Sequence, residues 1–135
     1  MVSLFAHQRI SDPDTLRAVQ AAGIQRTLQN VRPRRDQPYQ TMQLIQFNWF
    51  VENGLLVPDR ETARLTIRYE RYPDVVNSLL KEVLAMQMSG DRAKAAQFFD
   101  RWTNWTPELH ERLAARIREA QGPRWRIVRY AALGE

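Results

Sequence analysis

Apolar residues repeat at helical spacing over most of this chain, and the breaks between repeats mark where elements end. Val75, Val76, Leu79, Leu80, Val83 and Leu84 recur three and four apart between Pro73-Asp74 and Ser89-Gly90, which predicts an amphipathic helix with one core face. Gly90 can leave that helix through the left-handed conformation. Upstream, Tyr39, Met42, Ile45 and Trp49 form a stripe that Leu44, Phe47 and Val51 broaden. Asp36 is placed to cap this helix, Pro38 falls in its first turn and Gly54 follows its end, so the expected element spans about 36–53. So wide an apolar arc predicts burial on most of the circumference and makes this the central helix.

Shorter signals predict the remaining elements. Ser11-Asp12-Pro13-Asp14 offers an N-cap with proline behind it, and Leu16, Val19 and Gln20 carry helical spacing up to Gly23. A first helix is expected near 13–22, with a second helical piece over about 24–31. Arg32-Pro33-Arg34-Arg35 reads as a loop, because Pro33 disfavours a helix interior. Leu55-Leu56-Val57 and Arg64-Leu65-Thr66-Ile67-Arg68-Tyr69 flank Pro58-Asp59-Arg60, and the second run alternates as a half-buried strand does, so a small hairpin is expected. Asp91 caps a helix carrying Ala95, Phe98, Phe99 and Trp102. Thr106-Pro107-Glu108 opens the last one, which runs to about Ala120. Gly122-Pro123 ends it, and Trp125 to Tyr130 form an apolar-basic run expected either to pair as a short strand or to lie across the bundle. The predicted fold is mainly α: one helical bundle-like domain over all 135 residues, with a small β-hairpin and a short C-terminal strand.

Composition narrows the class of chemistry. The chain has no cysteine, which excludes disulfides, thiol catalysis and cysteine-ligated metals and fits a reducing compartment. No apolar run is long enough to span a bilayer. The first ten residues lack the basic region, long apolar core and cleavage site of a secretory signal, so a cytoplasmic protein is expected. The net charge is +5, and only Lys81 and Lys94 among the 20 basic residues are lysine. Such a bias follows from a GC-rich genome as readily as from phosphate recognition. Arg32, Arg34 and Arg35 form one basic cluster, and Arg124, Arg126 and Arg129 form another. Their separation along the chain argues against a nucleic-acid surface, although the second trio is the better binding candidate.

Catalytic patterns are missing. The two histidines, His7 and His110, stand in no His-Glu-x-x-His arrangement, and no metal-ligand spacing occurs. His110 falls in the first turn of the last helix, where a surface position is expected. The five glycines read as helix stops or turns, with no phosphate loop, dinucleotide fingerprint or nucleophile elbow. Lys81 and Glu82 flank an apolar helix face, and Glu108 and Glu111 complement a helix dipole, so paired-carboxylate catalysis is not expected. Trp102 shares a face with Phe98 and Phe99 and belongs in the core. Trp105 and Trp125 are left open between packing and base stacking.

One longer pattern points to a family. Gln43-Leu44-Ile45-Gln46-Phe47-Asn48-Trp49-Phe50 with Glu52-Asn53-Gly54 is followed by Leu79-Leu80, Glu82-Val83-Leu84, Gln87-Met88-Ser89-Gly90-Asp91 and Thr106-Pro107-Glu108-Leu109. Over about residues 36–120 this resembles the C-terminal part of the dipeptidyl-peptidase III zinc metallopeptidases and their bacterial relatives. The resemblance implies a helix ending in glycine, a short hairpin, a helix closing on a Ser/Thr-Gly-Asp turn and a Thr-Pro-Glu-Leu cap. In that family zinc is held by a His-Glu-x-x-Gly-His helix and a later Glu-Glu-x-x-Ala helix, both upstream of the matched region and neither present here. A substrate-facing histidine of the family corresponds to Tyr39, counted back from Gly54, so Tyr39 becomes the substrate-facing candidate. With no catalytic residue, metal ligand or cofactor of its own, the chain is expected to be inactive alone.

Two functions follow. The chain completes a peptidase-like lobe with the helix over about 36–53 lining a cleft and Tyr39 at its mouth, in which case it should expose an apolar patch to the rest of the lobe, to a peptide or to another copy. Alternatively, it is a self-contained basic helical module binding a protein or nucleic acid through its arginine clusters, in which case binding should weaken steeply with salt.

Overall fold

A computed structural model describes residues 9–29, 31–33 and 37–120. Among them are five α-helices and one two-stranded hairpin: α1 (Pro13–Gln29), α2 (Pro38–Glu52), β1 (Leu56–Pro58), β2 (Leu65–Ile67), α3 (Tyr72–Ser89), α4 (Arg92–Trp102) and α5 (Arg112–Ala120). A 3-10 turn, Tyr69–Arg71, leads into α3, and a π-helical turn, Pro107–Glu111, leads into α5. The chain is therefore mainly α with one small hairpin. Trp125 to Tyr130, where a C-terminal strand was expected, lie outside the described residues.

Helix α2 is the axis of the fold. It carries no charged side chain before Glu52, and it buries Thr41, Gln43, Leu44, Ile45, Phe47 and Phe50. These positions point in several directions around the helix, so it needs neighbours on more than one side. On one side, Phe47 and Phe50 join Ile24, Val31, Leu55, Leu56, Tyr72, Val75 and Leu113. This larger core is closed by α1, the hairpin, the start of α3 and α5. On another side, Ile45 joins Phe98 and Trp102, with Trp49, Leu79, Val83 and Met86 packed around them. Trp49 touches both clusters and donates its indole N–H to the Val75 carbonyl and to Ser78 Oγ at 3.2 and 3.1 Å.

The elements begin and end for local reasons. Asp12 Oδ2 accepts the Thr15 amide N–H at 2.8 Å, capping α1. Asp91 does the same for α4, accepting from the amides of Ala93 and Lys94 at 2.9 and 3.1 Å. Gly90, at φ 64°, ends α3 in the left-handed conformation. The N-cap of α2 departs from expectation. Gln37 holds that position with no side-chain bond, and Asp36 lies outside the described residues. Proline in the first turn tolerates this, since it has no N–H to satisfy.

The hairpin pairs Leu56 with Ile67, Val57 with Thr66 and Pro58 with Leu65. Asp59 organises its turn, accepting from the Glu61 and Thr62 amides and, at 2.6 Å, from the Thr62 hydroxyl. These bonds, led by the Thr62 hydroxyl, hold the Asp59 carboxyl below the usual carboxylate range. Helix α5 clamps the same turn. Arg112 donates to the carbonyls of Arg60 and Glu61 at 2.7 and 3.0 Å, and Arg116 to that of Thr62 at 2.6 Å. These two arginines are thus committed to backbone carbonyls inside the chain.

One predicted helix boundary is wrong. Gly23 does not end the first helix, which continues unbroken to Gln29. The glycine is there for space: a Cβ at this position would stand 2.9 Å from the Tyr72 hydroxyl, and Tyr72 is itself buried on the opposing helix. A glycine inside a helix costs about 1 kcal/mol relative to alanine, and here it leaves room for the Tyr72 hydroxyl. Gly23→Ala should accordingly destabilise the protein by about 1 kcal/mol in chemical denaturation, because overpacking outweighs the gain in helix propensity. Gly23→Ala combined with Tyr72→Phe should recover most of that loss. A single variant more stable than the parent would show that the contact does not constrain the helix pair.

Candidate functional site

Three predicted core faces converge on one place and are only partly buried there. From α2 come Pro38, Thr41, Met42, Ile45 and Gln46, and from α3 Val76, Leu79, Leu80, Val83 and Met86. Ala95, Phe98 and Phe99 of α4 close the third side, with Gln37 at one end. Together they enclose an open groove of about 660 Å³. None of the described lining residues is charged, in a chain where charged residues make up 26%.

The face of α3 shows what is unusual. Val75, Val76, Leu79, Leu80, Val83 and Leu84 were expected to be a core stripe, yet Val75 alone of the six is buried and Leu84 is exposed. At about 100° per residue, the apolar positions from Val75 round to Met88 sweep an arc of about 220°, interrupted only by Asn77 and Gln87. A surface helix packed on one core needs an arc of only about 100°. The surplus faces the groove and the solvent beyond it, where Met88 is 88% exposed. Met42 and Phe99 are partly exposed on the other two walls.

Behind the groove, a polar junction fixes α2 to the turn between α4 and α5. Asn48 donates from Nδ2 to the carbonyls of Trp102 and Asn104, both at 2.9 Å. With its amide so directed, Oδ1 must accept, and it meets His110 Nε2 at 2.7 Å. The neutral ring therefore carries its proton on Nε2, leaving Nδ1 to accept the Thr106 amide N–H at 3.0 Å. Trp105 stacks on the imidazole at 4.8 Å between centroids, and Phe47 meets it edge-on at 5.4 Å.

This corrects the expected surface position of His110, which is only 3% exposed. It sits inward within the π-helical turn Pro107–Glu111, with Nε2 against Asn48. Thr106 holds the N-cap position but makes no capping bond, since its hydroxyl also turns to His110 Nδ1, at 3.0 Å. Burial pushes the imidazole below its ordinary value, partly offset because a protonated Nδ1 can donate to the Thr106 carbonyl 3.1 Å away. Every polar atom of the ring is taken up within the fold, so His110 is a structural residue.

The other residues singled out from the sequence are scattered. Tyr39 is 76% exposed in the first turn of α2, beside groove residues Pro38 and Met42 but not lining the groove itself. Trp102 is buried, as its pattern required, and Trp105 is packed against His110. Lys81 and Glu82 are exposed on α3, and Glu111 pairs with Arg118 at 3.0 Å on the surface. Arg32 is half-buried, whereas Arg34, Arg35, Arg124, Arg126, Arg129 and Trp125 lie outside the described residues. Among the described residues no three His, Asp or Glu side chains cluster as a metal site would need. No described helix is long and apolar enough to cross a membrane.

Asn48→Ala should lower stability by about 3 kcal/mol in urea unfolding, since it strands two carbonyls and an imidazole N–H. The pH dependence has a definite sign. A histidine whose folded pKa is depressed takes up its proton more readily when unfolded, so its contribution is full above about pH 7 and declines as pH falls through 6.5. Asp12 and Asp59 are shifted downward and lose their contributions only at lower pH. Between about pH 7 and 5 the protein should therefore lose stability on acidification, and His110→Gln should flatten that slope. Equal slopes in the two proteins would rule out a buried neutral ring. Comparison with protein-family models, curated proteins and solved structures finds no match to this chain.

Proposed function

We propose that this chain serves as the C-terminal helical part of a dipeptidyl-peptidase III-like lobe, contributing a wall and a partner surface rather than a catalytic centre. The observation that carries this reading is the uncharged groove between α2, α3 and α4, with apolar side chains left half-covered on all three walls. A helix with an apolar arc about twice the width one core can use is built to be covered twice. Among the described residues it is covered once. A segment of a larger core has this character, because its second neighbour belongs to the rest of the protein.

The zinc chemistry implied by the family does not belong to these residues. His110 is fully engaged by Asn48 and Thr106, and the described residues offer no other cluster of ligands. Any zinc would be held by the remainder of the lobe, and no step through it is assigned to this chain. Tyr39 stands where the family has a substrate-facing histidine, and its exposed phenol can donate one hydrogen bond to a substrate oxygen. A phenol cannot carry the positive charge that a protonated imidazole brings to a developing oxyanion. The lobe would then bind peptides better than it hydrolyses them.

Co-expression with the zinc-bearing remainder of a dipeptidyl-peptidase III enzyme, stripped of its own corresponding C-terminal part, tests the reading. A one-to-one complex is expected by size-exclusion chromatography with light scattering. Hydrolysis of a dipeptidyl arylamide by that complex should be weak and should rise about tenfold or more in Tyr39→His, the low end of what one transition-state contact contributes. Failure of the two parts to associate would overturn the proposal.

A further inference from the structure

We propose that Asn53-Gly54, the joint between α2 and β1, is a self-modifying site: the Gly54 backbone nitrogen displaces the Asn53 side-chain amide, at a rate set by how often the cap of α2 opens. The site stands apart from the peptidase-like reading and needs no reactant but water.

The sequence supplies the reactive pair. Of the five asparagines, Asn53 alone is followed by glycine; Val31, Trp49, Ser78 and Trp105 follow the others. A glycine has no Cβ to hinder approach of its nitrogen to the preceding side chain, and its backbone is free to turn. In mildly alkaline water, hydroxide takes the Gly54 N–H proton and the nitrogen attacks Asn53 Cγ. The new N–Cγ bond closes a succinimide ring, the Cγ–Nδ2 bond breaks, and Nδ2 leaves as ammonia with a proton from water. A second water opens the ring. Breaking N–Cγ gives aspartate, whereas breaking the original peptide bond gives isoaspartate, in which the main chain runs through Cγ. Nothing is oxidised or reduced.

The fold holds both reactants out of line. Asn53 is the C-cap of α2, and its Nδ2 donates to the Trp49 carbonyl at 2.9 Å. The Gly54 N–H donates to the Val51 carbonyl at 3.1 Å, and the Leu55 N–H to that of Phe50 at 2.9 Å. At ψ 10° the Gly54 nitrogen is nearly eclipsed with Asn53's own nitrogen and stands away from the Cβ that carries Cγ. Because the peptide unit is planar, rotation about ψ must bring the two together. That rotation breaks the bond to Val51 and pulls on Leu55, which is fully buried. Attack therefore requires the cap to open, and the closed cap suppresses it.

Conversion changes the joint. The Trp49 carbonyl accepts from both the backbone N–H and the side chain of Asn53, and a carboxylate at this position withdraws the second donor. It also adds negative charge at the C-terminal end of α2, where the helix dipole disfavours it. Arg71 offsets part of that effect, since its Nη1 would lie 3.8 Å from a Cβ built on Gly54. Isoaspartate goes further, because its extra main-chain atom pushes Gly54 and Leu55 out of step with α2. Trp49 touches both core clusters, so a loosened joint is felt on two sides of the helix.

The test incubates the whole chain, folded and in urea, in mildly alkaline buffer at body temperature. Peptide-mapping mass spectrometry, with fragmentation that separates aspartate from isoaspartate, follows every asparagine. In urea Asn53 should convert faster than the others. The folded protein should convert at Asn53 at least about tenfold more slowly, as for a group released only by local opening. Hydrogen exchange of the Gly54 amide in the folded protein should be slowed by a similar factor. Asn53→Gln, which would have to close a larger ring, should stay unconverted over the same period. Asn53→Asp should lower the urea midpoint while the far-ultraviolet circular dichroism is retained.

Earlier conversion of another asparagine in urea would overturn the site. Equal rates at Asn53 in the folded and unfolded chain would overturn the gate, as would conversion suppressed far less than Gly54 exchange, since attack would then proceed from the closed cap. An unchanged midpoint in Asn53→Asp would overturn the effect on the joint.

Discussion

Everything in this fold follows from one constraint: α2 has no face that water favours. Between Pro38 and Val51 it carries no charge, and its apolar side chains point to several sides. At roughly 25 cal/mol for each Å² of apolar surface removed from water, a fifteen-residue helix of this kind gains from every neighbour it can acquire. Helix α1, the hairpin, α3, α4 and α5 are arranged as a sheath around it. The sheath is complete where Phe47 and Phe50 meet the larger core and incomplete where Met42 and Ile45 face the groove.

A helix buried on several sides brings a second problem, since the polar groups near it lose water as well. Asn48 solves it at the point of greatest crowding. Its amide reaches two carbonyls at the end of α4, and its oxygen takes the proton of His110. Three elements distant in sequence are joined through one side chain whose orientation leaves no alternative tautomer for the ring. Such a junction is specific in a way that apolar packing is not, because a shift of α2 by one residue would strand all of its partners. The aromatic groups around it, Phe47 and Trp105, exclude water and so keep the imidazole neutral.

The helices, the hairpin and the caps at Asp12 and Asp91 were legible in the sequence because they depend on neighbours in sequence. Asp91 bonds two amides within three residues of itself, and Gly90 needs only its own backbone freedom. The errors fall where the cause is distant. Gly23 looked like a helix stop, but its reason is Tyr72, which no local rule connects to it. His110 looked exposed because the helical pattern assumed a regular first turn, and a π turn cannot be told from an α turn by spacing. The apolar stripes of α2, α3 and α4 were each read as core faces, which is correct as chemistry. No periodicity argument could reveal that the three stripes converge on a space the described chain leaves open.

That convergence separates the two functional readings more sharply than the net charge does. Arg112 and Arg116 serve hairpin carbonyls, Arg118 serves Glu111, and Arg17 and Arg101 lie over the Tyr69 and Trp102 rings. Surface left open is instead neutral and apolar, and it adjoins Tyr39, the position to which the family resemblance assigned a substrate-facing role.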